Sequence, residues 1–377
     1  MIDTVTLVLA RKRISRFDLD GDKKPLWNSH TRADGYEKFI RKPSKKERQS
    51  GLYFPKITGI NSNGKNVLMP SRIKITFSVP KLLYGNNLDE VNSRQLDEVI
   101  EVLQMRLDMM GIKLSNESIR DASVATVDYS KNISLGNRYT VSYVIGELEK
   151  LNVRRGIEFA KAQYRNDGQG LIAQASEHSF VFYDKVPDLL KGRTKAIDKD
   201  RVAGQIELAE SLQGQNILRF EVRLATKRKI NAVFIRLGYA KNPSLIDVLS
   251  EEKSMAVLRD YWAKATIGNG GILFADKLLA KDLIRRILAL QKHLKPRTMI
   301  YLVGLIVLAR ERGGMRELRN ILGKSVGYRS WYRIVKTLKD ISASLTGLQP
   351  DKWYERIETA LKSYQPFRTN LKNAKIK

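Results

Sequence analysis

Four residues on three short runs have the types and spacing for phosphoryl-transfer chemistry. Asp128 lies in VATVDYS (124–130), Tyr183 and Lys185 in SFVFYDK (179–185), and Glu221 in NILRFEVRL (216–224). A strand sends alternate side chains to opposite faces. Asp128 then shares a face with Val124 and Thr126, and Tyr183 shares one with Ser179, Val181 and Lys185. In the third run Leu218, Phe220, Val222 and Leu224 form a purely apolar face turned to a core. Arg219, Glu221 and Arg223 point the other way, where the two arginines are set to meet DNA. Two carboxylates on adjacent strands could hold Mg²⁺ or Mn²⁺ through oxygen. Such an ion polarises a phosphodiester oxygen and offsets transition-state charge. A tyrosine hydroxyl, with an ordinary pKa of about 10, is a poor nucleophile alone. Beside a metal-bound phosphate and a lysine it can attack phosphorus in line and form a covalent link. That link stores the energy of the broken bond, so a strand can be rejoined without ATP. Each run also fits a plainer role: a packing tyrosine, a salt-bridged surface strand, a turn-capping aspartate. Tyr129, beside the acid but on the other face, and Tyr84 compete with Tyr183 as nucleophile.

The elements that must position these residues are spread along the chain. DTVTLVLA (3–10) reads as a strand. Residues 11–66 are polar, basic and rich in Gly, Pro and Ser, with RKPSKKERQ at 41–49, which predicts long hairpins or flexible loops. SRIKITFSV (71–79) alternates, with Ile73, Ile75, Phe77 and Val79 on one face. It runs through PKLLYGNN into a helix whose stripe is Leu96, Val99, Ile100, Leu103, Leu107 and Met110, stopped by Gly111. A further helix is expected around 141–151, and KGRTKAIDKDR (191–201) is a charged connection. After about residue 240 strand patterns vanish and amphipathic helices follow. Residues 1–240 are thus expected to form an α+β domain, and 241–377 a helical one.

Composition narrows the partners. The 377 residues carry 68 Lys and Arg against 40 Asp and Glu, a formal charge of +28. Such charge fits nucleic acid, because each cation set against a phosphate frees a condensed counterion. Cysteine is absent and only His30, His178 and His293 occur, so any metal site rests mainly on carboxylates. No signal-peptide pattern opens the chain. The longest apolar run, Met299 to Ala309, is about half of what spans a bilayer. A soluble, cytoplasmic protein with no membrane partner is expected.

The ordered set SRIKITFSVPKLLYGNN, VATVDYSKN, HSFVFYDK and NILRFEVRL, over residues 70–235, resembles the filamentous-phage replication initiators of the gene II/X family. It is also similar to the Rep_trans rolling-circle plasmid initiators, whose short motif strands follow in this order. The resemblance implies an antiparallel sheet with flanking helices, related to the HUH endonucleases. It implies that Tyr183 is the nucleophile that nicks the origin, that Lys185 assists it, and that Asp128 and Glu221 bind the metal. The chain departs from the pattern at Asn86, where the phage proteins carry His, and at Asn132, where the plasmid motif has a second acid. Asn86 or His178 could then help to bind the metal.

In GGMRELRNILGKSVGYRSWYRIVKTLKDI (313–341) a helix, a turn with Gly323 and Gly327, and a second helix have a helix-turn-helix layout. Arg329, Arg333, Lys336 and Lys339 share a face of the second helix that could meet phosphates or bases, while Trp331 and Ile334 pack inward. The plainer reading is a helical bundle with cationic faces. The expected function is a rolling-circle initiator that nicks double-stranded origin DNA, rejoins the displaced single strand, and works with host helicase and DNA polymerase. A non-catalytic repressor or partition factor is the alternative; it needs the charge and the helix-turn-helix but not Tyr, Asp and Glu on one face. A transposase or relaxase is a third possibility, though relaxases carry a histidine cluster that is absent here.

Overall fold

The computed structural model describes residues 2–17, 20–21, 24–25, 27–31, 37–41, 43–61, 70–151, 170–190, 208, 210–266, 279–290, 293–311, 314–322, 325–344 and 351–369. The strands in chain order are β1 (Ile2–Ala10), β2 (Arg16–Phe17), β3 (Asp20–Gly21), β4 (Lys24–Pro25), β5 (Trp27–Thr31), β6 (Glu37–Arg41) and β7 (Lys56–Asn61). They continue with β8 (Arg72–Ser78), β9 (Ile112–Lys113), β10 (Ser123–Ser134), β11 (Gly170–Gln174), β12 (His178–Asp184) and β13 (Ile217–Leu224). Nine of them form one sheet in the order β11-β12-β13-β10-β1-β8-β7-β6-β5. Every pairing in it is antiparallel. The fold is α+β. The basic N-terminal region contributes β5, β6 and β7 to one wing of the sheet, so its hairpins are ordered strands.

The three runs that carry the expected site are neighbours: β12, β13 and β10 lie side by side. On the core face, Phe180 and Phe182 of β12 meet Phe220 of β13. The Phe182 and Phe220 rings stack at 4.6 Å between centroids, and Trp262 meets both edge-on. Such aromatic packing adds to the burial energy and fixes which face of β12 and β13 is left for chemistry. In β10 the alternation slips. Val124 pairs with Leu7 and Thr126 with Thr6, so an extra residue intervenes and the register shifts there. Val124 therefore joins the core, not the face of Thr126 and Asp128 as simple alternation predicts.

The helices after residue 240 divide between two cores. Helix Glu251–Thr266 contributes Met255, Val257, Leu258, Tyr261, Trp262 and Ala265 to the sheet's core, and helix Lys352–Lys362 adds Trp353, Ile357 and Leu361. The Trp262 indole donates to Glu358 and ties these two helices together. Helices Ala280–Leu290, Pro296–Arg310, Gly314–Leu322 and Tyr328–Ser344 share a separate core that runs from Leu283 to Ile341. The expected division at 240 thus falls inside the first core, and the chain returns to the sheet after the second. Amphipathic periodicity gives each helix a buried stripe but does not say which core receives it. Truncating Trp353, which has no exposed surface, to Ala should therefore cost about 3–5 kcal/mol. It should loosen the sheet more than the helical unit, read as lost amide-exchange protection in β10 and β13 with little change in 296–310.

Candidate active site

The site is built around β13. Its apolar residues Leu218, Phe220, Val222 and Leu224 are fully buried in the core, which forces Arg219, Glu221 and Arg223 to the opposite face. Tyr183 pairs with Arg219 and Val181 with Glu221. Across the other edge Asp128 pairs with Arg223 and Ser130 with Glu221. Directly paired residues share a face, and diagonal neighbours lie within reach of long side chains. The Tyr183 hydroxyl accordingly donates to Glu221 Oε2 at 3.1 Å. Arg219 Nε donates to the same oxygen at 3.3 Å, and Arg223 Nε to Oε1 at 2.6 Å. Tyr183, Glu221 and Asp128 share one face of three adjacent strands, as their spacing predicts.

Two expected roles are corrected. Arg219 is only 1% exposed, so the DNA-contact role expected of it does not fit its position. Its Nη1 donates to Asn87 O at 2.8 Å and to Asn132 Oδ1 at 3.3 Å. Its Nη2 lies 3.0 Å from Asp3 Oδ1 without hydrogen-bond alignment. Arg219 is an internal cation that knits four segments together. Lys185 does not extend the strand face either: β12 stops at Asp184, and Lys185 opens helix Lys185–Leu190. It is wholly buried, paired with Asp188 at 3.2 Å, yet its ammonium stays 5.7 Å from the Tyr183 ring centroid. Arg223 keeps 45% of its side chain exposed and can reach a ligand. Arg329, Arg333 and Lys336 are exposed on helix Tyr328–Ser344, whose Trp331 is buried. Gly323 and the Lys339 side chain lie outside the described residues.

The charges of the site are uneven. Burial raises the Glu221 pKa, but Arg223 and Arg219 outweigh it and hold the carboxyl at about 2. Asp128 goes the other way: burial and then the Glu221 charge push it well above the usual carboxylate range, against the pull of Arg223. Burial also raises the Tyr183 phenol; Arg219 opposes this, while Glu221 and Asp3 add to it. The phenol therefore stays protonated and donates to an ionised Glu221.

The donor set suits a hard cation. Among the described residues no group of three or more His, Cys, Asp or Glu is placed to hold a metal. Mg²⁺, however, is commonly held by one or two carboxylates plus substrate phosphate oxygens. Burial and the Glu221 charge disfavour the Asp128 carboxylate, and a bound cation would favour it. Glu221 can offer an oxygen when Arg223 releases Oε1. The two acids therefore fit an ion that also takes a phosphate, with Arg223 and the ion competing for one oxygen.

Other candidates are engaged elsewhere. His178 pairs with Leu224, on the core face, and its Nδ1 is 2.6 Å from the Tyr261 hydroxyl. Asn86 closes its own turn: its Oδ1 accepts from the Leu88 and Asp89 amides, and its Nδ2 donates to Asp89. Neither joins the two acids. Tyr129 is buried in the core and donates to Val248 O at 3.4 Å. Tyr84 donates to Gln95 at 2.6 Å. Of the three tyrosines weighed as nucleophile, Tyr183 is the one on the acidic face.

Burial, helped by Lys229, Lys264 and Arg236, lowers the His178 pKa from 6.5 to about 4. Unfolded, the imidazole takes a proton near 6.5; folded, it does so only near 4. Between these values the unfolded chain binds more protons, so this group makes stability fall as pH drops through that window. The urea midpoint of wild type should fall more from pH 6.5 to about 4 than that of His178→Gln. Parallel midpoints would rule His178 out as the sensitive group.

Sequence reasoning missed the supports. Asp3, the second residue of β1, is its lone acid, with nothing in DTVTLVLA to single it out. Asn132, noted only as a missing acid, accepts from Arg219 and donates from Nδ2 to Leu88 O at 2.7 Å. Glu90, buried and paired with Lys131 at 2.7 Å, also accepts from the Asn132 amide at 2.6 Å and the Phe367 amide at 2.9 Å. The turn that holds Arg219 is thus braced by the chain's far end, a contact between residues 277 positions apart.

Comparison with protein-family models, with curated proteins and with solved structures gave no match.

Proposed function

We propose that the chain is a rolling-circle replication initiator whose sheet is of the HUH-endonuclease kind. The observation that carries this reading is the Tyr183 hydroxyl 3.1 Å from Glu221, with Asp128 on the same face of the adjoining strand, in a chain of net charge +28. Tyr183 attacks a phosphorus of origin DNA in line. The bond to the 3′ oxygen breaks, the 5′ phosphate becomes tyrosine-linked, and a 3′ hydroxyl is left for a host polymerase. Glu221 accepts the phenol's hydrogen bond and orients it, and the proton released on attack passes through solvent to the leaving 3′ oxygen. Arg223 and the buried Lys185 and Arg219 supply positive potential where charge grows on the phosphate. Asp128 and Glu221 would hold Mg²⁺ or Mn²⁺, which when bound would polarise a phosphate oxygen. Helix Tyr328–Ser344 reads the duplex with Arg329, Arg333 and Lys336. Host helicase is the further partner, in a bacterial cytoplasm; among the described residues no helix is long and apolar enough to cross a membrane.

The test is incubation of the purified protein with Mg²⁺ or Mn²⁺ and supercoiled DNA of its own replicon. Relaxed circles and DNA that migrates with protein on a denaturing gel are the expected products. Tight binding without nicking or linkage would instead favour a repressor or partition factor.

A further inference from the structure

A cleft of about 630 Å³ opens at the end of β10, between Lys131–Ser134, helix Lys352–Lys362 and the segment 363–368. Its walls carry Lys352, Arg356 and Arg368 against one acid, Glu355; Lys131 also lines it, but its charge is spent on Glu90. Lys352 and Arg356 make no ion pair among the described residues. Arg368 touches only neutral groups there, Gln95 at 3.2 Å and the Tyr84 ring at 4.8 Å. Arg356 is also seated: it lies over Gly136, φ +64, where any Cβ would collide with the guanidinium. The cleft is linked to the proposed site through Asn132, which lines it and accepts from Arg219, whose strand partner is Tyr183.

We infer that this cleft binds the phosphodiester backbone of single-stranded DNA beside the strand that Tyr183 cleaves, an inference that rests on the reading above for its partner. Arg356 sits over Gly136 while Arg368 lies against Gln95 and the Tyr84 ring, and such separate seats suit a chain of phosphates better than a single anion. The volume falls within the roughly 300–1,000 Å³ of clefts that enclose a drug-sized ligand. That is the scale of a short stretch of single strand and too small for a duplex. A positive groove that tracks the backbone is the usual device for single strands.

The test uses full-length Tyr183→Phe protein, so that no cleavage intervenes, and a labelled single-stranded oligonucleotide read by anisotropy. Adding Lys352→Gln, Arg356→Gln and Arg368→Gln should weaken binding at least about tenfold and flatten the slope of log K against log salt by about 2, at roughly 0.7 per lost phosphate contact. Binding of a blunt duplex should hardly change. Equal losses for single strand and duplex would mean a non-specific cationic surface and would overturn the inference, as would unchanged single-strand affinity. Displacement of the oligonucleotide by inorganic phosphate beyond its ionic-strength effect would mean a small-anion site and would also overturn it. The nicking assay with Tyr183 intact separates the two readings. Nicking without the cleft effect sinks only the cleft, and the cleft effect without nicking sinks only the tyrosine chemistry.

Discussion

Tyr183→Phe should abolish both nicking and covalent linkage of DNA while leaving duplex binding and folding close to wild type. The substitution removes one hydroxyl. That oxygen is the atom that would bond to phosphorus, so no partial activity through it survives, and the expected loss is roughly three orders of magnitude or more. The cost to the fold is small. The ring keeps its place beside the Lys185 ammonium, and Glu221 Oε2 still accepts from Arg219. One hydrogen bond to a charged group is lost, about 1.5–3 kcal/mol at most, and part of that returns because the buried phenol no longer needs a partner. Duplex binding should be unaffected, because Arg329, Arg333 and Lys336, the residues proposed to contact the duplex, lie on the outer surface of the separate helical core. The measurement is supercoiled-plasmid relaxation and a denaturing gel for linked protein, with duplex anisotropy as control. If the Phe variant nicks as well as wild type, Tyr183 is a packing residue; the engaged hydroxyls of Tyr84 and Tyr129 make neither an easy replacement.

The face that carries the candidate chemistry was legible because one strand is unambiguous. Four apolar residues alternate in β13, and burying them leaves Arg219, Glu221 and Arg223 no other side to occupy. The adjacency of β12, β13 and β10 was not derivable from periodicity, since pairing order in a sheet is set by the whole topology. It came into view only in the sheet order of the structure. What could not be read was whatever depends on where a strand stops or slips. The helix begins at Lys185 because Pro187 suits a helix's first turn, where an amide would lack a partner anyway; alternation carries Lys185 one step too far. In β10 one extra residue moves Val124 to the core. Arg219 illustrates a different limit. Its sequence neighbourhood is that of a surface arginine, and only the long-range arrival of Asp3, Asn87 and Asn132 makes it internal. The same holds for helix Lys352–Lys362, whose apolar stripe announces a buried face but not that the sheet is what buries it.

Arg219→Met should destabilise the protein by about 3–5 kcal/mol, the usual cost of breaking a buried ion network by removing one member. The side chain is of similar length, so little cavity is left, and the loss is electrostatic. Asn87 O and Asn132 Oδ1 lose a donor, and Asp3 and Glu221 lose a neighbouring cation. With only Arg223 and Lys185 left near it, the Glu221 carboxyl rises from about 2 toward its ordinary range. Wild-type Glu221 stabilises the fold above its ordinary pKa of 4.5, and that share is lost as pH falls toward about 2. In the variant this acid-dependent share shrinks. Adding Glu221→Gln to Arg219→Met should recover part of the loss, because the second change removes the charge that the first left stranded; a coupling of about 1–3 kcal/mol is expected between groups in one network. Chemical-denaturation midpoints for the two single variants and the double variant measure it. The salt slope of duplex binding supplies the opposing outcome. A phosphate-contacting arginine would leave the midpoint unchanged and lower that slope by about 1. An internal cation lowers the midpoint and leaves the slope alone, because the 1% exposure of Arg219 puts its guanidinium where a DNA phosphate cannot replace the four segments it holds.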